Sequence, residues 1–184
     1  MKTSMEQVTD FRKIVEAYQE NVRNTCFRFV KNKEDADDLA QEVFIQVYES
    51  LAHFREDSEM STWIYRIAVN KSLDFIRKKK RKKRFAQLTS LFGFDDEKEE
   101  IILPDNDNPQ ENMEQKERKQ ILDSAIDQLP ENQKTAITLS KYEGFSNKEI
   151  ADIMNLSLSA VEALMHRSKK NLHKLLYDYY EKFE

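Results

Sequence analysis

Hydrophobic residues recur every three or four positions along most of this 184-residue chain, which is the spacing of helices with one buried face. The first stripe predicts a helix over about residues 6–31. Its buried side is expected to comprise Phe11, Ile14, Val15, Tyr18, Val22, Thr25, Cys26, Phe29 and Val30. Because Cys26 lies on this stripe, we expect its thiol to be buried and inert.

A second helix is predicted after Asn32, an N-cap residue followed by acidic residues in the first turns, where the helix dipole favours negative charge. Its inward face comprises Ala36, Leu39, Ala40, Val43, Phe44, Val47, Tyr48 and Leu51. Its outward face comprises Asp37, Asp38, Gln41, Glu42, Ile45 and Glu49. Such a face is ordinarily solvated surface. Ile45 is an apolar residue among acids, however, and this pattern is also typical of the centre of a docking patch.

A third helix, over about residues 61–88, is predicted to have one apolar and one basic face. The apolar face comprises Met60, Ile64, Ile67, Ala68, Ser72, Phe75 and Ile76. The other face comprises Arg66, Asn70, Leu73, Arg77, Lys80, Arg81 and Arg84. Near the helix start lie the aromatic residues Phe54, Trp63 and Tyr65 and the short polar residues Ser58, Ser61 and Thr62. Aromatic and polar groups together can stack on unpaired bases and hydrogen-bond their edges, so we expect contact with nucleic acid. The alternative is a core helix with a solvated basic end.

An acidic segment divides the chain. Residues 93–118 carry 3 Lys and Arg against 10 Asp and Glu and contain Pro104 and Pro109, which predicts a flexible linker. Residues 1–92 carry 18 Lys and Arg against 14 Asp and Glu, so a basic N-terminal half is hidden within a net charge of −4. The acidic segment is either a self-repelling tether or a polyanion that occupies a cationic channel of a partner.

Helical periodicity returns at about Glu111. The inward residues of this helix are Ile121, Leu122, Ala125, Ile126 and Leu129. Pro130 is expected to end it and to start the next, over about residues 131–142. Gly144 then serves as a left-handed residue after the helix end.

The segment from Ser146 has the spacing of a helix-turn-helix. Ser146 and Glu149 form a capping box at the start of its first helix. Ala151, Asn155 and Val161 supply the small residue, the turn residue that tolerates positive φ, and the apolar residue of the second helix. The packing residues are Ile150, Ile153, Met154, Leu156, Val161, Leu164 and Met165. Ser157 is expected to cap the second helix, which continues past Arg167, Lys169, Lys170 and Lys174.

Composition limits the remaining choices. The chain has 2 Gly and 3 Pro, too few for the tight turns of a sheet protein, so we predict an all-α chain of two small helical domains. One cysteine and three scattered histidines predict no disulfide and no metal site, and we expect no cofactor. No apolar run approaches about 20 residues and no signal peptide is visible near Met1, so a soluble, cytoplasmic protein without membrane insertion is expected.

These residues resemble the extracytoplasmic-function sigma factors, the two-domain initiation subunits of bacterial RNA polymerase. Asp35 to Phe44 is similar to the segment with which the family grips the clamp helices of the polymerase. Phe54 to Asn70 resembles the part that melts and reads the minus-ten element. Leu129 to Gln133 and the helix-turn-helix through Arg167 resemble the domain that reads the minus-thirty-five element.

The resemblance implies three domain segments and three sets of contact residues. Residues 1–90 form the region-2-like domain, 91–112 the acidic linker and 113–184 the region-4-like domain with the helix-turn-helix. Core polymerase would contact Asp37, Asp38, Gln41, Glu42 and Ile45. The minus-ten element would contact Phe54, Ser58, Ser61, Trp63, Tyr65, Arg66, Asn70, Arg77, Lys80, Arg81 and Arg84. The minus-thirty-five element would contact Lys148, Ser157, Ser159, Ala160, Glu162, Ala163, His166, Arg167 and Lys169. Glu162 either accepts a hydrogen bond from cytosine N4 or is a solvated surface residue.

The function implied is therefore that of a non-enzymatic subunit, which directs core polymerase to promoters and assists melting. Its implied partners are the clamp helices and flap of the polymerase, promoter DNA and an anti-sigma factor. The alternative is a free-standing helix-turn-helix regulator, which would bind its operator without polymerase. An enzyme acting on nucleic acid is disfavoured, because no carboxylate cluster, glycine-rich phosphate loop or metal-ligand spacing is visible.

Overall fold

A computed structural model describes residues 4–54, 59–91 and 113–181 of the chain. In these three ranges the regular structure is helical throughout, which confirms the all-α prediction. The chain divides into two compact units, residues 1–105 and 106–184. The predicted acidic linker, residues 91–112, lies almost entirely outside the described residues.

The first unit contains three long helices that pack against one another: α1 (Ser4–Val30), α2 (Lys33–Ser50) and α3 (Met60–Leu91). A short 3-10 turn, Leu51–His53, follows α2. The core is built from the predicted stripes and includes Val22, Cys26, Ala36, Leu39, Ala40, Val43, Val47, Ile64, Ile67 and Ala68. Burying each large aliphatic side chain of this kind contributes about 1.5–3 kcal/mol, so packing and not helix propensity holds the unit together.

Two local features fix the connection between α1 and α2. Lys31 adopts a left-handed conformation with φ 56°, and its backbone N–H donates to Phe27 O at 2.8 Å. Asn32 is the N-cap of α2, as predicted, because its side chain accepts a hydrogen bond from the backbone N–H of Asp35 at 2.9 Å. The two residues together reverse the chain and satisfy helix-end groups that would otherwise lack partners.

Cys26 is fully buried in the first unit. Burial raises the pKa of its thiol to about 11, because the thiolate would lose its hydration. The thiol therefore stays protonated at neutral pH, as expected for an inert core cysteine.

The second unit contains α4 (Met113–Asp127), α5 (Glu131–Lys141), α6 (Asn147–Met154) and α7 (Leu158–Tyr180), and α7 packs against the other three. Pro130 occupies the N-cap position of α5, and Gly144 has φ 75° after the end of that helix, as the sequence predicted. The core includes Ala125, Ile126, Leu129, Ala136, Leu139, Ile150, Ile153, Val161 and Leu164. Asn171 Nδ2 donates to Gln133 Oε1 at 2.8 Å and joins α7 to α5.

Three predicted faces are wrong at single positions. Leu73 was placed on the basic face of α3, but it is 8% exposed and belongs to the core. Tyr48 and Leu156 were placed in the core, but they are 50% and 40% exposed. The Tyr48 ring instead lies edge-on against Phe11, with ring centroids 5.0 Å apart, at the border between α1 and α2.

Candidate functional site

The outward side of α2 forms a mixed acidic and apolar surface. We call Asp37, Asp38, Gln41, Glu42 and Ile45 the acidic face. All of them are exposed except the half-buried Asp37, and the side chain of Ile45 is 59% exposed. An apolar side chain surrounded by carboxylates can be desolvated by a partner while the carboxylates pair with cations around it.

Basic residues of the neighbouring helices hold this surface in place. Asp37 is paired with Arg23 of α1, and Glu42 Oε2 lies 3.1 Å from Lys71 Nζ of α3. Asp35, in the first turn of α2, lies 3.2 Å from Lys79 Nζ of α3. The ion pairs fix the carboxylates on a rigid helix but leave most of the Glu42 side chain, 59%, accessible to solvent.

Aromatic residues mark the start of α3. The rings of Phe54 and Trp63 have centroids 4.9 Å apart with an interplanar angle of 37°, and both side chains are half-buried. Ser61 is also half-buried beside them. The predicted site residue Ser58 lies outside the described residues. The indole is therefore only partly covered by protein.

Tyr65 and Thr62, also placed among the nucleic-acid residues from their composition, are core residues in this structure. Tyr65 is 5% exposed and Thr62 is 2% exposed. The Tyr65 ring offers no open face for stacking in this conformation. Its prediction as a contact for unpaired bases does not agree with this burial.

A long basic stretch follows along α3. Residues 77–84 are all Lys or Arg, and all of them are exposed. Asn70, about two helical turns before Arg77, is exposed as well. Arg77 Nη1 lies 3.3 Å from Asp74 Oδ1 and Lys79 Nζ lies 3.2 Å from Asp35 Oδ2, so two of these cations already have acidic neighbours. Arg66 is half-buried, and its Nε atom is enclosed with no acceptor in hydrogen-bond range among the described residues. The stretch forms a cationic ridge suited to phosphate groups.

The α6–α7 pair of the second unit is a helix-turn-helix. Ser146 and Glu149 form the predicted capping box, with Ser146 N donating to Glu149 Oε2 at 2.8 Å and Glu149 N donating to Ser146 Oγ at 3.3 Å. These hydrogen bonds hold the pKa of Glu149 below its usual value of 4.5, because they stabilise the carboxylate. Asn155 has φ 54° and ends α6 in the left-handed conformation, as predicted.

Ser157 then caps α7 by accepting a hydrogen bond from Ala160 N at 3.2 Å. The side of α7 that faces the unit is built from Val161, Leu164, Met165 and Ser168, all buried. The opposite side exposes Ser159, Glu162, Ala163, His166, Arg167 and Lys169, and Lys148 of α6 is exposed as well. Ala160 is half-buried, and Ser157 is an exposed cap. A polar, partly basic helix side carried by a firmly capped helix-turn-helix has the form that reads the DNA major groove.

Sequence reasoning missed two features of these surfaces. Lys71 was not singled out, because its partner Glu42 is 29 positions away and no local pattern connects them. Leu158, in the first turn of α7, was not assigned a role, although it is 46% exposed. An apolar residue placed directly after an N-cap serine is the signal that could have identified it.

Two further observations concern the described residues. Among the residues that the structure describes, no cluster of three or more His, Cys, Asp or Glu side chains could hold a metal ion. No helix in the described ranges is both long and apolar enough to cross a membrane.

An all-helical chain that combines a helix-turn-helix with an aromatic and basic helix is typical of a DNA-binding protein. Residues 14–82 match the family model for Sigma-70 region 2, and residues 119–172 match the model for Sigma-70, region 4. These two matches cover the two helical units in the order in which they occur along the chain.

Curated relatives extend the match over most of the chain. The RNA polymerase sigma-H factor of Pseudomonas aeruginosa is 32% identical over 170 residues, which cover 90% of this chain and 86% of the relative. The ECF RNA polymerase sigma factor SigW of Bacillus subtilis is 32% identical over 169 residues, covering 91% and 89%. The ECF RNA polymerase sigma-E factor of Haemophilus influenzae is 34% identical over 162 residues, covering 87% and 84%. The chain belongs to the extracytoplasmic-function family of RNA polymerase sigma factors. It directs core RNA polymerase to promoters for the initiation of transcription, and the free-standing regulator is not favoured.

Solved structures show the same fold. The sigma factor RpoE, crystallised with the anti-sigma factor NepR from Bartonella quintana, has a TM-score of 0.66 at 20% identity and covers 91% of this chain and 97% of that one. CnrH, in complex with the cytosolic domain of CnrY, has a TM-score of 0.64 at 21% identity and covers 91% and 88%. At these identities the likeness concerns the fold.

Proposed function

We propose that the acidic face of α2 is the surface with which this sigma factor binds core polymerase, through the clamp helices. The observation that carries the proposal is an exposed Ile45 flanked by exposed Asp38 and Glu42 on one rigid helix. Charge complementarity would speed encounter with a basic partner, and the apolar centre would lose water on contact. Gln41 and Asp37 border the same surface.

The start of α3 binds the minus-ten element in this proposal. Trp63, with Phe54 behind it, stacks on an unpaired base of the non-template strand, and the half-buried Ser61 borders that site. Arg66, Asn70, Arg77, Lys80, Arg81 and Arg84 contact phosphates of the adjoining duplex. Affinity then falls steeply with salt, since each neutralised phosphate releases counterions. Tyr65 supports this surface from the core.

The helix-turn-helix binds the minus-thirty-five element, with α7 in the major groove. Glu162, His166 and Arg167 face base edges, and Lys148 and Lys169 contact phosphates. The N-cap residue Ser157 orients the start of α7. Residues 1–90 and 113–184 act as two weak DNA-binding domains joined by the acidic linker 91–112, so their combined affinity depends on promoter spacing.

Three further properties complete the proposal. The polymerase carries out the catalysis, and this chain only directs it to the promoter and assists melting of the promoter DNA. The chain acts in the cytoplasm, where the chromosome and core polymerase are found. An anti-sigma factor regulates it by covering its polymerase-binding surfaces, by analogy with the complexes formed by RpoE with NepR and CnrH with CnrY.

A run-off transcription assay with core polymerase tests the proposal. We expect promoter-dependent transcript only when this chain is added. Asp38→Lys should lower core affinity at least about tenfold without changing helical content. Glu20→Lys is the matched control, because Glu20 is an exposed acid on α1 outside the acidic face. Unchanged core affinity of the Asp38 variant would refute the docking surface, and tight operator binding by the chain alone would support a free-standing regulator.

A further inference from the structure

Leu158 is an exposed apolar residue at the start of the recognition helix α7. Its side chain is 46% exposed, although its neighbours Ser157 and Ser159 are polar and the inward side of α7 is already filled by other apolar residues. Ser157 Oγ and Ser159 Oγ lie 3.2 Å apart on either side of it. An unburied leucine costs hydration free energy, so a contact that removes it from water would be favourable.

The position of Leu158 along α7 restricts what it can meet. It lies one turn before Glu162, so these two side chains are neighbours on the helix surface. Leu158 lies at the border of the inward side of α7, because Val161 and Met165, three and seven residues further on, are buried, whereas Glu162 is exposed. In a helix-turn-helix the first turns of the second helix enter the major groove and approach base edges.

The major groove offers a leucine one kind of apolar partner. Guanine, cytosine and adenine present hydrogen-bond donors and acceptors there, whereas thymine also presents its C5-methyl group. We infer that Leu158 contacts the C5-methyl group of a thymine in the minus-thirty-five element, beside the base pair that Glu162 faces. The inference rests on the proposed function of the helix-turn-helix and adds a specificity-determining residue to it.

The contact buries about one methyl group against a leucine. Removal of that methyl group should therefore weaken binding about fourfold, the factor expected for one buried carbon. Deoxyuridine pairs with adenine as thymidine does and lacks only the C5-methyl group, so it isolates this contact.

The experiment uses the full chain assembled with core polymerase. Promoter duplexes with a randomised upstream segment are selected by the assembled enzyme, and each thymine of the selected element is then replaced singly by deoxyuridine. We expect one replacement to weaken binding of the unaltered protein about fourfold. Leu158→Ser should show no further loss at that position. Leu156 is a leucine of similar exposure in the preceding turn, 40% against 46%, and Leu156→Ser should behave as the unaltered protein.

Each outcome decides a separate claim. If no deoxyuridine replacement weakens binding, or if Leu158→Ser keeps the full sensitivity, the methyl contact is refuted while selection of a defined element still supports the proposed function. If Leu158→Ser instead lowers affinity for core polymerase, the leucine docks protein and the inference is overturned. If the assembled enzyme selects no element at all, the proposed function itself fails. The replacement series on the unaltered protein does not depend on whether a variant folds.

Discussion

Lys71 Nζ of α3 lies 3.1 Å from Glu42 Oε2 of α2, so a residue of the proposed polymerase-binding surface is held by an ion pair within its own domain. The two side chains are 26% and 59% exposed. Exposed pairs of this kind contribute about 0.2–1 kcal/mol, because water and salt screen them. The ion pair therefore orients Glu42. A partner that replaces Lys71 would break a contact worth no more than about 1 kcal/mol.

This geometry separates stability from binding. Glu42→Gln and Lys71→Gln break the same ion pair, so we expect both to lower the free energy of unfolding by a similar amount, under about 1 kcal/mol, in urea titrations. Only Glu42→Gln removes the docking carboxylate, and it should weaken core binding several-fold while Lys71→Gln leaves it equal or stronger. Equal losses of core affinity would mean that Glu42 acts through the fold of the domain.

The capping box at the start of α6 makes the second unit sensitive to acid. Because the Ser146 hydrogen bonds lower the pKa of Glu149 in the folded state, its carboxylate stabilises the fold at pH values above the unfolded pKa. That contribution is lost as the pH falls through the depressed folded-state pKa. We expect the difference in unfolding midpoint between the unaltered chain and Glu149→Gln to be constant near neutral pH and to shrink below about pH 4.5. A difference that did not change with pH would show that the carboxylate charge is irrelevant to the cap.

Helix ends were predicted best from the sequence where the residue at the end is of a type that commonly caps helices. Ser146, Ser157 and Asn32 are found as caps, and Asn155 takes the left-handed conformation, because short polar side chains satisfy helix ends within a few residues. Lys31 was not predicted to be left-handed. It lies in the short connection between α1 and α2, which pack against each other, and lysine has no intrinsic preference for the left-handed conformation.

Lys31 should therefore be a strained position. A non-glycine residue in the left-handed region costs about 1–2 kcal/mol. Glycine removes this strain, but it also gives the unfolded chain more conformational freedom, which offsets part of the gain in stability. We expect Lys31→Gly to raise the free energy of unfolding by up to about 1 kcal/mol, and Lys31→Val to lower it, since β-branching crowds this conformation further. Denaturant unfolding followed by circular dichroism measures both. Lys33→Gly, placed inside the first turn of α2, should destabilise by helix propensity alone and serves as the control.

The exposed residues of the candidate site could be predicted where one side of a helix is buried, as the helical period implies. The prediction was poorer where a helix packs against two neighbours and buries a wider part of its circumference. Helix α3 packs against both α1 and α2, so its buried side is broader than one amphipathic stripe. Tyr65 and Leu73 fall within that broader arc. Helix α7 has one clear inward row, and its exposed residues were assigned correctly to the outer surface, with Ala160 at the border.

The Trp63 ring at the start of α3 is partly buried and packs against the hydrophobic core. Its centroid lies 4.9 Å from that of Phe54. Trp63→Leu keeps apolar volume but removes the flat ring, so we expect closed-complex affinity to be retained while promoter opening falls about fivefold or more, the range for one lost base stack. Trp63→Phe should retain most opening. Permanganate reactivity of unpaired thymines measures opening, and gel-shift titration at low temperature measures the closed complex. Phe75→Leu, a partly buried aromatic on the core side of the same helix, controls for stability. Equal losses of opening and closed-complex affinity in Trp63→Leu would show that the indole is structural.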